Sequence, residues 1–348
     1  MTKPFKIHII FDFQSGPAGG GNQFLKTLRE EFKNRDIYEE NLQDAEIILF
    51  NSHHNFDKVF ETKKKFREKI FIHRIAGPVC LTRGGSRDLD KIIFRFNKLV
   101  ADGIIFQSNW SKEQNKKLFE ISSKYESVIH NAPDNGIFNK IGKKEFNPKE
   151  KIKLIATSWS SGHRKGSEIC QFLDENLDFS KYEMTFVGNY PVEFQNIKVI
   201  KPVSSEKLVE ILKEHDIYIF GSKIESCSNA LIEALSCDLP AIAIDGSSNS
   251  EVVKGGGELF IGKDDIIEKI EKVAKNLHYY QSKIPEFSIE KVAQKYYKFA
   301  ERIYNDFKKG KYKPKYINLS TIINFYKMKF VIMKYRAINK LNTIKEKI

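Results

Sequence analysis

Two glutamates with a short polar run between them have the spacing in this sequence that best suits ligand chemistry. Glu225 and Glu233 are separated by seven residues, and the run enters a predicted helix whose apolar face carries Ala230 and Leu235. Ser228 is a favourable N-cap residue, so the first N–H groups of this helix are expected to point outward as an anion site. Two carboxylates at such a place suit a ligand that carries both hydroxyls and phosphates. A loop acid and a solvated helix residue are the alternative interpretation.

A second candidate site follows a predicted strand at residues 152–157. Arg164 and Lys165 precede Gly166, where the next helical pattern starts. A cation beside a helix start can stabilise a phosphate-containing leaving group, because negative charge develops on that group as its bond breaks. A surface basic dipeptide is the alternative.

A glycine-rich run follows the first predicted strand, at residues 6–11. It contains Gly16, Gly20 and Gly21, and it is followed by a helical pattern. The spacing is not that of a dinucleotide fingerprint, and no acid at the end of a clear second strand is present to bind a ribose. The remaining interpretations are a flexible turn and a backbone segment that approaches a ligand closely, for which glycine is suited.

The elements that must position these residues alternate between strands and helices in both halves of the chain. Apolar runs of strand length recur with helical patterns between them, which predicts two mostly parallel α/β sheets in tandem. A Lys-, Gly- and Pro-containing run near residue 148 is predicted to be the linker. The expected domains are 1–148 and 149–307, both doubly wound, with ligands at the carboxyl ends of the strands in the cleft between them.

Composition places the excess charge at one end of the sequence. The 348 residues include 58 Lys or Arg and 45 Asp or Glu, a net charge of +13, yet residues 308–348 alone contain twelve Lys or Arg and one acid. The body is therefore nearly neutral. The four cysteines show no metal-ligand spacing, and no apolar run reaches membrane-spanning length. A cytoplasmic protein with a basic tail is expected.

Further residues around the glutamates resemble those of a known family. The run from Glu233 to Ala243, EALSCDLPAIA, and the later run Ser250 to Val253 are similar to motifs of the retaining GT-B glycosyltransferases of family 4 (glycosyl transferases group 1), and the resemblance spans residues 5–305. It implies a GT-B fold of two Rossmann-like domains. It also implies transfer of a sugar from a nucleotide-diphosphate donor to an acceptor hydroxyl, with no cofactor and no metal.

The resemblance assigns roles to individual residues. Glu225 would hold donor-sugar hydroxyls, Glu233 the ribose, and Lys165 the diphosphate. Trp159 stands where the family often has an arginine, with Arg164 as a substitute, so a protein that binds nucleotide sugars without catalysis is an alternative. The implied catalytic residues are Glu225, Lys165 and His73, and the implied donor-binding residues are Gly20, Gly21, Arg164, Lys165, Glu225, Ser228, Asn229, Ala230 and Glu233.

Three other motifs receive structural interpretations. Asp88 and Asp90 have the Asp-x-Asp spacing of metal sites in the other glycosyltransferase fold, but they follow a glycine-containing loop and open a helical pattern, so helix N-terminal acids are predicted. The run from Asn131 to Phe138 is predicted to be an architectural turn. His53 and His54 lack partners at metal-ligand spacing and are predicted to lie in an ordinary loop. His73, at the end of a strand, is expected to be a sugar contact or a loop histidine.

The basic tail predicts where the protein acts. Residues 317–341 place apolar side chains on one helical face with lysines mostly elsewhere, which is typical of an amphipathic helix at an anionic membrane. We therefore expect residues 311–348 to contact the inner face of the membrane, where a glycan or lipid-linked acceptor would be found. Packing against the body is the alternative, and a nucleic-acid partner is the less favoured third.

Overall fold

Two parallel β-sheets organise the chain. The structure, a computed structural model, describes residues 5–14, 19–158, 165–190 and 193–330. These residues form two compact units. Unit 1 contains residues 5–13, 28–130 and 290–330, and unit 2 contains residues 14, 19–27, 131–158, 165–190 and 193–289.

The sheet of unit 1 has five parallel strands in the order β1-β2-β3-β4-β5. Its strands are β1 (Ile7–Ile10), β2 (Ile47–Asn51), β3 (Ile70–Ile75), β4 (Gly103–Phe106) and β5 (Tyr125–Val128). The intervening helices are α1 (Gly20–Asn34), α2 (Phe56–Lys65), α3 (Val79–Thr82), α4 (Asp88–Val100) and α5 (Asn109–Phe119). Tyr38 also bridges Ile7, on the side of β1 opposite to β2. The chain therefore crosses β1 at this point, which gives the sheet a topological switch beside the start of α1.

The sheet of unit 2 has six parallel strands in the order β11-β10-β9-β6-β7-β8. They are β6 (Ile152–Ser158), β7 (Tyr182–Gly188), β8 (Lys198–Ile200), β9 (Ile217–Phe220), β10 (Ala241–Ile244) and β11 (Gly257–Phe260). The helices are α6 (Ser167–Asn176), α7 (Ser205–Lys213), α8 (Asn229–Ser236), α9 (Asn249–Val253), α10 (Lys263–Lys275) and α11 (Leu277–Lys283). The chain runs outward from β6 to β8 and returns to pair β9 with the other side of β6, so the switch point lies between β6 and β9.

The predicted fold class is confirmed, because both units are parallel sheets with helical connections. The physical reason is visible in the strands. All residues of β1, β2, β3, β4, β9 and β10 are buried, as expected for sheets covered by helices on both faces.

The last long helix packs on the first sheet. Helix α12 (Ile289–Lys308) follows unit 2 in the chain, and its Tyr297 ring stacks on Phe5 with centroids 4.6 Å apart. At the start of β4, a Cβ on Gly103 would lie 2.6 Å from Ile303 Cδ1 and 3.1 Å from the Phe299 ring, so the helix packs closely on the backbone of this glycine. The domain boundaries predicted from the sequence place residues 290–307 in the second domain, 149–307. The apolar stripe of α12 instead packs on unit 1.

Part of the basic tail is also packed on unit 1. Residues 319–330 are helical, and Phe325 stacks on Phe60 with ring centroids 3.7 Å apart and planes 4° from parallel. Ile317 and Met328 join the same buried apolar cluster. The rest of the predicted amphipathic tail, residues 331–348, lies outside the described residues. Within the described ranges, no helix is long and apolar enough to span a membrane.

A fully buried ion pair lies where the start of the tail meets the rest of unit 1. Lys63 Nζ lies 2.8 Å from Asp102 Oδ2, and neither side chain is exposed. The same carboxylate accepts hydrogen bonds from the backbone N–H of Phe71, from the Tyr312 hydroxyl and from the backbone N–H of Lys315, each at 2.7 Å. Burial lowers the pKa of Lys63, so the charge of this lysine depends on Asp102.

We expect Asp102→Asn to destabilise unit 1 strongly. Removing one partner of a buried ion pair leaves the other charge uncompensated, which costs about 3 kcal/mol or more. The matched control is Asp57→Asn, which removes an exposed partner of Lys329, 2.9 Å away, and should change little. The measurement is urea unfolding, with the hydrogen exchange of peptides from β3 and β4 as the probe. Equal midpoints for the two variants would contradict this prediction.

Candidate functional site

The switch point of unit 2 brings together a lysine and a glutamate from two loops. Lys165 follows β6 and Glu225 follows β9, and Lys165 Nζ lies 2.5 Å from Glu225 Oε1. The Ser222 hydroxyl donates to the same oxygen at 2.6 Å. The side chains of Lys165 and Glu225 are 39% and 19% exposed, so the pair is accessible to solvent. Glu225 Oε2 accepts no hydrogen bond from the described residues, which leaves it available to a ligand hydroxyl.

A glycine-to-glycine contact sets the distance between these two loops. A Cβ added to Gly166 would lie 2.4 Å from Gly221 Cα, and a Cβ on Gly221 would lie 2.8 Å from Gly166 Cα. Gly166 also has φ of 81°, in the left-handed region that other residues rarely adopt. Backbone therefore packs directly on backbone, which brings Lys165 within reach of Glu225.

The loop that follows β10 holds the Glu225 loop in place. The Ser247 hydroxyl accepts from the backbone N–H of Glu225 at 2.8 Å, and the Ser248 hydroxyl donates to the Glu225 carbonyl at 2.9 Å. The fully buried Asn249 donates to the Ser222 carbonyl at 2.9 Å. Sequence reasoning missed these supporting residues, because small polar residues after a strand resemble any surface loop.

The start of helix α8 is capped as predicted. The Ser228 hydroxyl accepts from the backbone N–H of Leu231 at 3.3 Å, which leaves the N–H groups of Asn229 and Ala230 without an intrahelical acceptor. Both residues are partly exposed. The helix start is therefore an accessible region of positive potential.

A second helix start lies beside it. Gly20 and Gly21 form the first turn of α1, and the Asn229 amide donates to the Gly20 carbonyl at 2.9 Å. A Cβ on Gly20 would lie 3.3 Å from that amide nitrogen. The glycines thus begin a helix, and the backbone of Gly20 lies directly against Asn229. Two helix N-termini consequently converge within unit 2.

Asn131 supports this arrangement, although the sequence predicted only an architectural turn at residues 131–138. Its amide donates to Asn229 Oδ1 at 2.8 Å and to the Cys227 carbonyl at 3.2 Å. Further along the run, Asn135 bonds the backbone of Phe287, as a structural turn would. The run therefore supports the start of α8 through Asn131 and forms a structural turn through Asn135. The position of Asn131 shortly after the end of β5 was the sequence signal for its place near the site.

Glu233 is a half-buried carboxylate in the second turn of α8. Burial raises its pKa to about 7, since removal from water disfavours the charged form. Within the described part of the chain, no side chain or backbone group donates a hydrogen bond to it. Such a carboxylate is prepared to accept hydroxyl donors from a ligand.

His73 is placed differently from the expectation of a sugar contact. Its side chain is fully buried in unit 1, with Nε2 2.9 Å from the Ser52 carbonyl and Nδ1 3.0 Å from the Asn97 amide. The ring stacks on Phe50 at 4.2 Å, and burial lowers the pKa of His73 to about 3. With both ring nitrogens engaged, this neutral histidine has no group left for a sugar. The geometry supports a packing role instead.

Three further sequence candidates are Arg164, Trp159 and Asp90. Arg164 and Trp159 lie outside the described residues. Asp90 is buried and accepts from the backbone N–H of Val79 at 2.6 Å and of Cys80 at 2.9 Å, so it stabilises the start of α3. In the described ranges, no group of three or more His, Cys, Asp or Glu side chains is arranged to hold a metal ion.

We expect Gly166→Ala to destabilise unit 2 more than a control glycine with a similar φ. Gly142 has φ of 75° and nothing within 4 Å of an added Cβ, so Gly142→Ala should cost only the left-handed penalty of about 1–2 kcal/mol. Gly166→Ala adds the collision with Gly221, which raises the cost by about 1–3 kcal/mol. Urea unfolding, with the hydrogen exchange of β6 and β9 peptides as the probe, measures the difference in stability between the two variants. Equal losses would show that the close backbone contact is unimportant.

We expect Glu233 to make stability depend on pH. The pKa of Glu233 in the folded protein, about 7, exceeds the ordinary value of 4.5. The contribution of this carboxyl group to the free energy of unfolding is therefore fully present below about pH 4.5 and is lost as the pH rises through 7. The loss amounts to about 3 kcal/mol by about pH 8. Urea unfolding measures the free energy of unfolding of the wild type and of Glu233→Gln across this pH range. As the pH rises, the wild type should lose stability relative to the variant. Parallel curves would refute the shift.

Comparisons with known proteins agree with this architecture. Residues 193–284 match the model of the family described as Glycosyl transferases group 1. This segment lies in unit 2 and includes Glu225 and Glu233, whereas Lys165 lies before it. No curated protein sequence is a significant match.

Solved structures resemble nearly the whole chain. Sucrose-phosphate synthase from Thermosynechococcus elongatus is 12% identical with a TM-score of 0.65, over 86% of this chain and 99% of that one. The catalytic domain of starch synthase IV from Arabidopsis thaliana, bound to ADP and acarbose, is 10% identical with a TM-score of 0.67, over 86% and 99%. HepE from Anabaena, in complex with UDP and glucose, is 13% identical with a TM-score of 0.65, over 86% and 100%. At these identities the likeness shows the GT-B fold, and within unit 2 the residues 193–284 match the glycosyl transferases group 1 model.

Proposed function

We propose that this protein is a glycosyltransferase that moves a sugar from a nucleotide-diphosphate sugar to an acceptor hydroxyl. The observation that carries the proposal is the Lys165–Glu225 pair, held at the switch point of unit 2. The comparisons support it, because a glycosyl transferases group 1 segment surrounds Glu225. Two of the similar structures are complexes with UDP and glucose and with ADP and acarbose, and such ligands combine phosphates with sugar hydroxyls.

The diphosphate would bind where positive potential converges. Lys165 keeps two N–H donors besides the one directed at Glu225, so it can contact a phosphate without leaving its partner. The N–H groups of Asn229 and Ala230, which have no acceptor within helix α8, add a helix N-terminus, and the adjacent first turn of α1 at Gly20 adds a second. Two like helix ends side by side repel each other, and a bound anion relieves that repulsion.

The two carboxylates would accept hydrogen bonds from the hydroxyls of the donor. Glu225 is fixed by Lys165 and Ser222 through Oε1, so Oε2 is the atom that would accept from the transferred sugar. Glu233 would accept the ribose hydroxyls. Hydroxyl donors stabilise the ionised carboxylate, so donor binding is expected to pull the pKa of Glu233 down from about 7.

The chemical step breaks the bond from the anomeric carbon to the diphosphate oxygen and forms a bond from that carbon to the acceptor oxygen. The acceptor proton leaves to the diphosphate or to solvent. Lys165 and the helix ends stabilise the charge that develops on the leaving diphosphate, which is the task a metal ion performs in other enzymes. We extend the proposal to metal-independent transfer with retention of anomeric configuration, on the resemblance around Glu225 and Glu233. The acceptor would be a glycan or lipid-linked molecule in lipopolysaccharide, capsule or other glycoconjugate assembly at the cytoplasmic face of the membrane.

We expect Lys165→Ala and Glu225→Gln each to reduce sugar transfer by about 10²–10³-fold while the protein stays folded, since each removes a group that stabilises the transition state. A thermal-shift screen of UDP-, GDP- and ADP-sugars first identifies the donor, and transfer is then measured with that donor. The matched control is Lys207→Ala, because Lys207 forms an exposed ion pair with Glu210, 2.7 Å away, in the same unit. The control should transfer like the wild type.

Wild-type transfer by either site variant would overturn the assignment of the site. Donor binding without turnover across a panel of acceptors would instead identify a nucleotide-sugar-binding protein. Proton NMR of the product anomer tests retention, and transfer in the presence of a chelator tests metal independence.

A further inference from the structure

The helical segment at residues 319–330 carries apolar side chains on two opposite faces. Phe325 and Met328 are buried against unit 1. On the other side, four large apolar side chains at spacings of four, three and four residues form one stripe along the helix. We call them the outer stripe: Leu319, Ile323, Tyr326 and Phe330, which are 72%, 47%, 53% and 71% exposed.

The inner contacts fix the direction in which the outer stripe faces. Phe325 is stacked on Phe60, and Lys329 is paired with Asp57 of helix α2 at 2.9 Å. Rotation of the helix to bury the outer stripe would break both contacts. Tyr316, just before the helix, is 62% exposed as well. The exposure of these side chains is therefore maintained by the fold.

The charge around the outer stripe selects among possible partners. Residues 309–330 contain six lysines and no acid. Lys309, Lys311, Lys313 and Lys327 are exposed. A symmetric pair of copies meeting at this patch would bring lysines against lysines, which disfavours self-association. A bilayer with anionic headgroups offers both an apolar layer for the stripe and negative charge for the lysines.

We propose that the outer stripe docks this protein on the surface of an anionic lipid bilayer, with the helix lying in the plane of the interface. Tyr326 and Tyr316 suit that boundary, because a tyrosine ring has an apolar body and a polar hydroxyl. The proposal deepens the membrane setting of the proposed function by naming the residues that enter the interface. It does not depend on sugar transfer.

The test is co-sedimentation with vesicles of phosphatidylcholine alone and of phosphatidylcholine with phosphatidylglycerol. The wild type should bind the mixed vesicles. The triple variant Leu319→Ser, Ile323→Ser, Phe330→Ser should lose about a hundredfold or more in partitioning, because three large apolar side chains no longer enter the interface. The matched control is Ile141→Ser with Ile261→Ser, both 80% exposed and both in unit 2, which should bind like the wild type.

The lysines supply a second arm. Each change of Lys311, Lys313 or Lys327 to Gln should weaken binding by about fivefold. Absent binding of the wild type to the mixed vesicles, or equal binding to both kinds, overturns the proposal, as does wild-type binding by the triple variant. A lower melting temperature of the triple variant would show that other residues of this chain cover the stripe. A dimer that the triple variant loses would show that a second copy does, and either result overturns the proposal.

Vesicle binding is measured without donor or acceptor. Failure of sugar transfer therefore leaves this result intact, and failure of vesicle binding leaves the assignment of Lys165 and Glu225 intact.

Discussion

The candidate site depends on the direct contact of two stretches of backbone. β6 and β9 are neighbours in the sheet, and the loops that follow them come together because Gly166 and Gly221 have no side chains. Every larger residue would separate the loops by the width of a Cβ. Lys165 and Glu225 could then meet only by stretching across the gap. The serines and Asn249 that hold the Glu225 loop act after this contact, since they position a loop that the glycine pair has already placed.

Two lysine–carboxylate pairs in this chain show how burial decides what an ion pair does. Lys63 and Asp102 are fully buried, and the carboxylate is saturated with hydrogen bonds from the sheet and from the tail. Exchange of either partner for a ligand would leave a charge without compensation. Lys165 and Glu225 are partly exposed, so water and salt weaken their attraction, and the pair can rearrange around a bound anion at little cost. The first pair therefore suits a fixed structural role, and the second suits a ligand site.

The sequence predicted those parts of the structure that depend on local pattern. Buried apolar runs identified most strands, and Ser228 was identified as a helix cap because capping involves residues only three apart. Contacts between distant residues could not be read this way. The Gly166–Gly221 contact joins two loops on either side of a strand crossover, and neither glycine has a local signal that names the other. The burial of His73 could not be read this way either, because β3 continues past it to Ile75 and the residues that pack on its ring, Phe50 and Asn97, come from other elements.

The return of the C-terminal residues to unit 1 changes the meaning of the basic tail. Amphipathic periodicity predicted one apolar face, which includes the outer stripe, with packing against the body as the alternative; it did not identify the opposite face, with Phe325 and Met328, as the one that is buried. Once Phe325 and Met328 are buried, the lysines and the outer stripe are displayed from a supported helix. A flexible basic tail would attract any polyanion in many orientations. A helix that packs on α2 through Phe325 and Phe60, and whose preceding segment is bonded to Asp102, presents charge and apolar surface in one plane, which is the geometry that a flat bilayer surface requires.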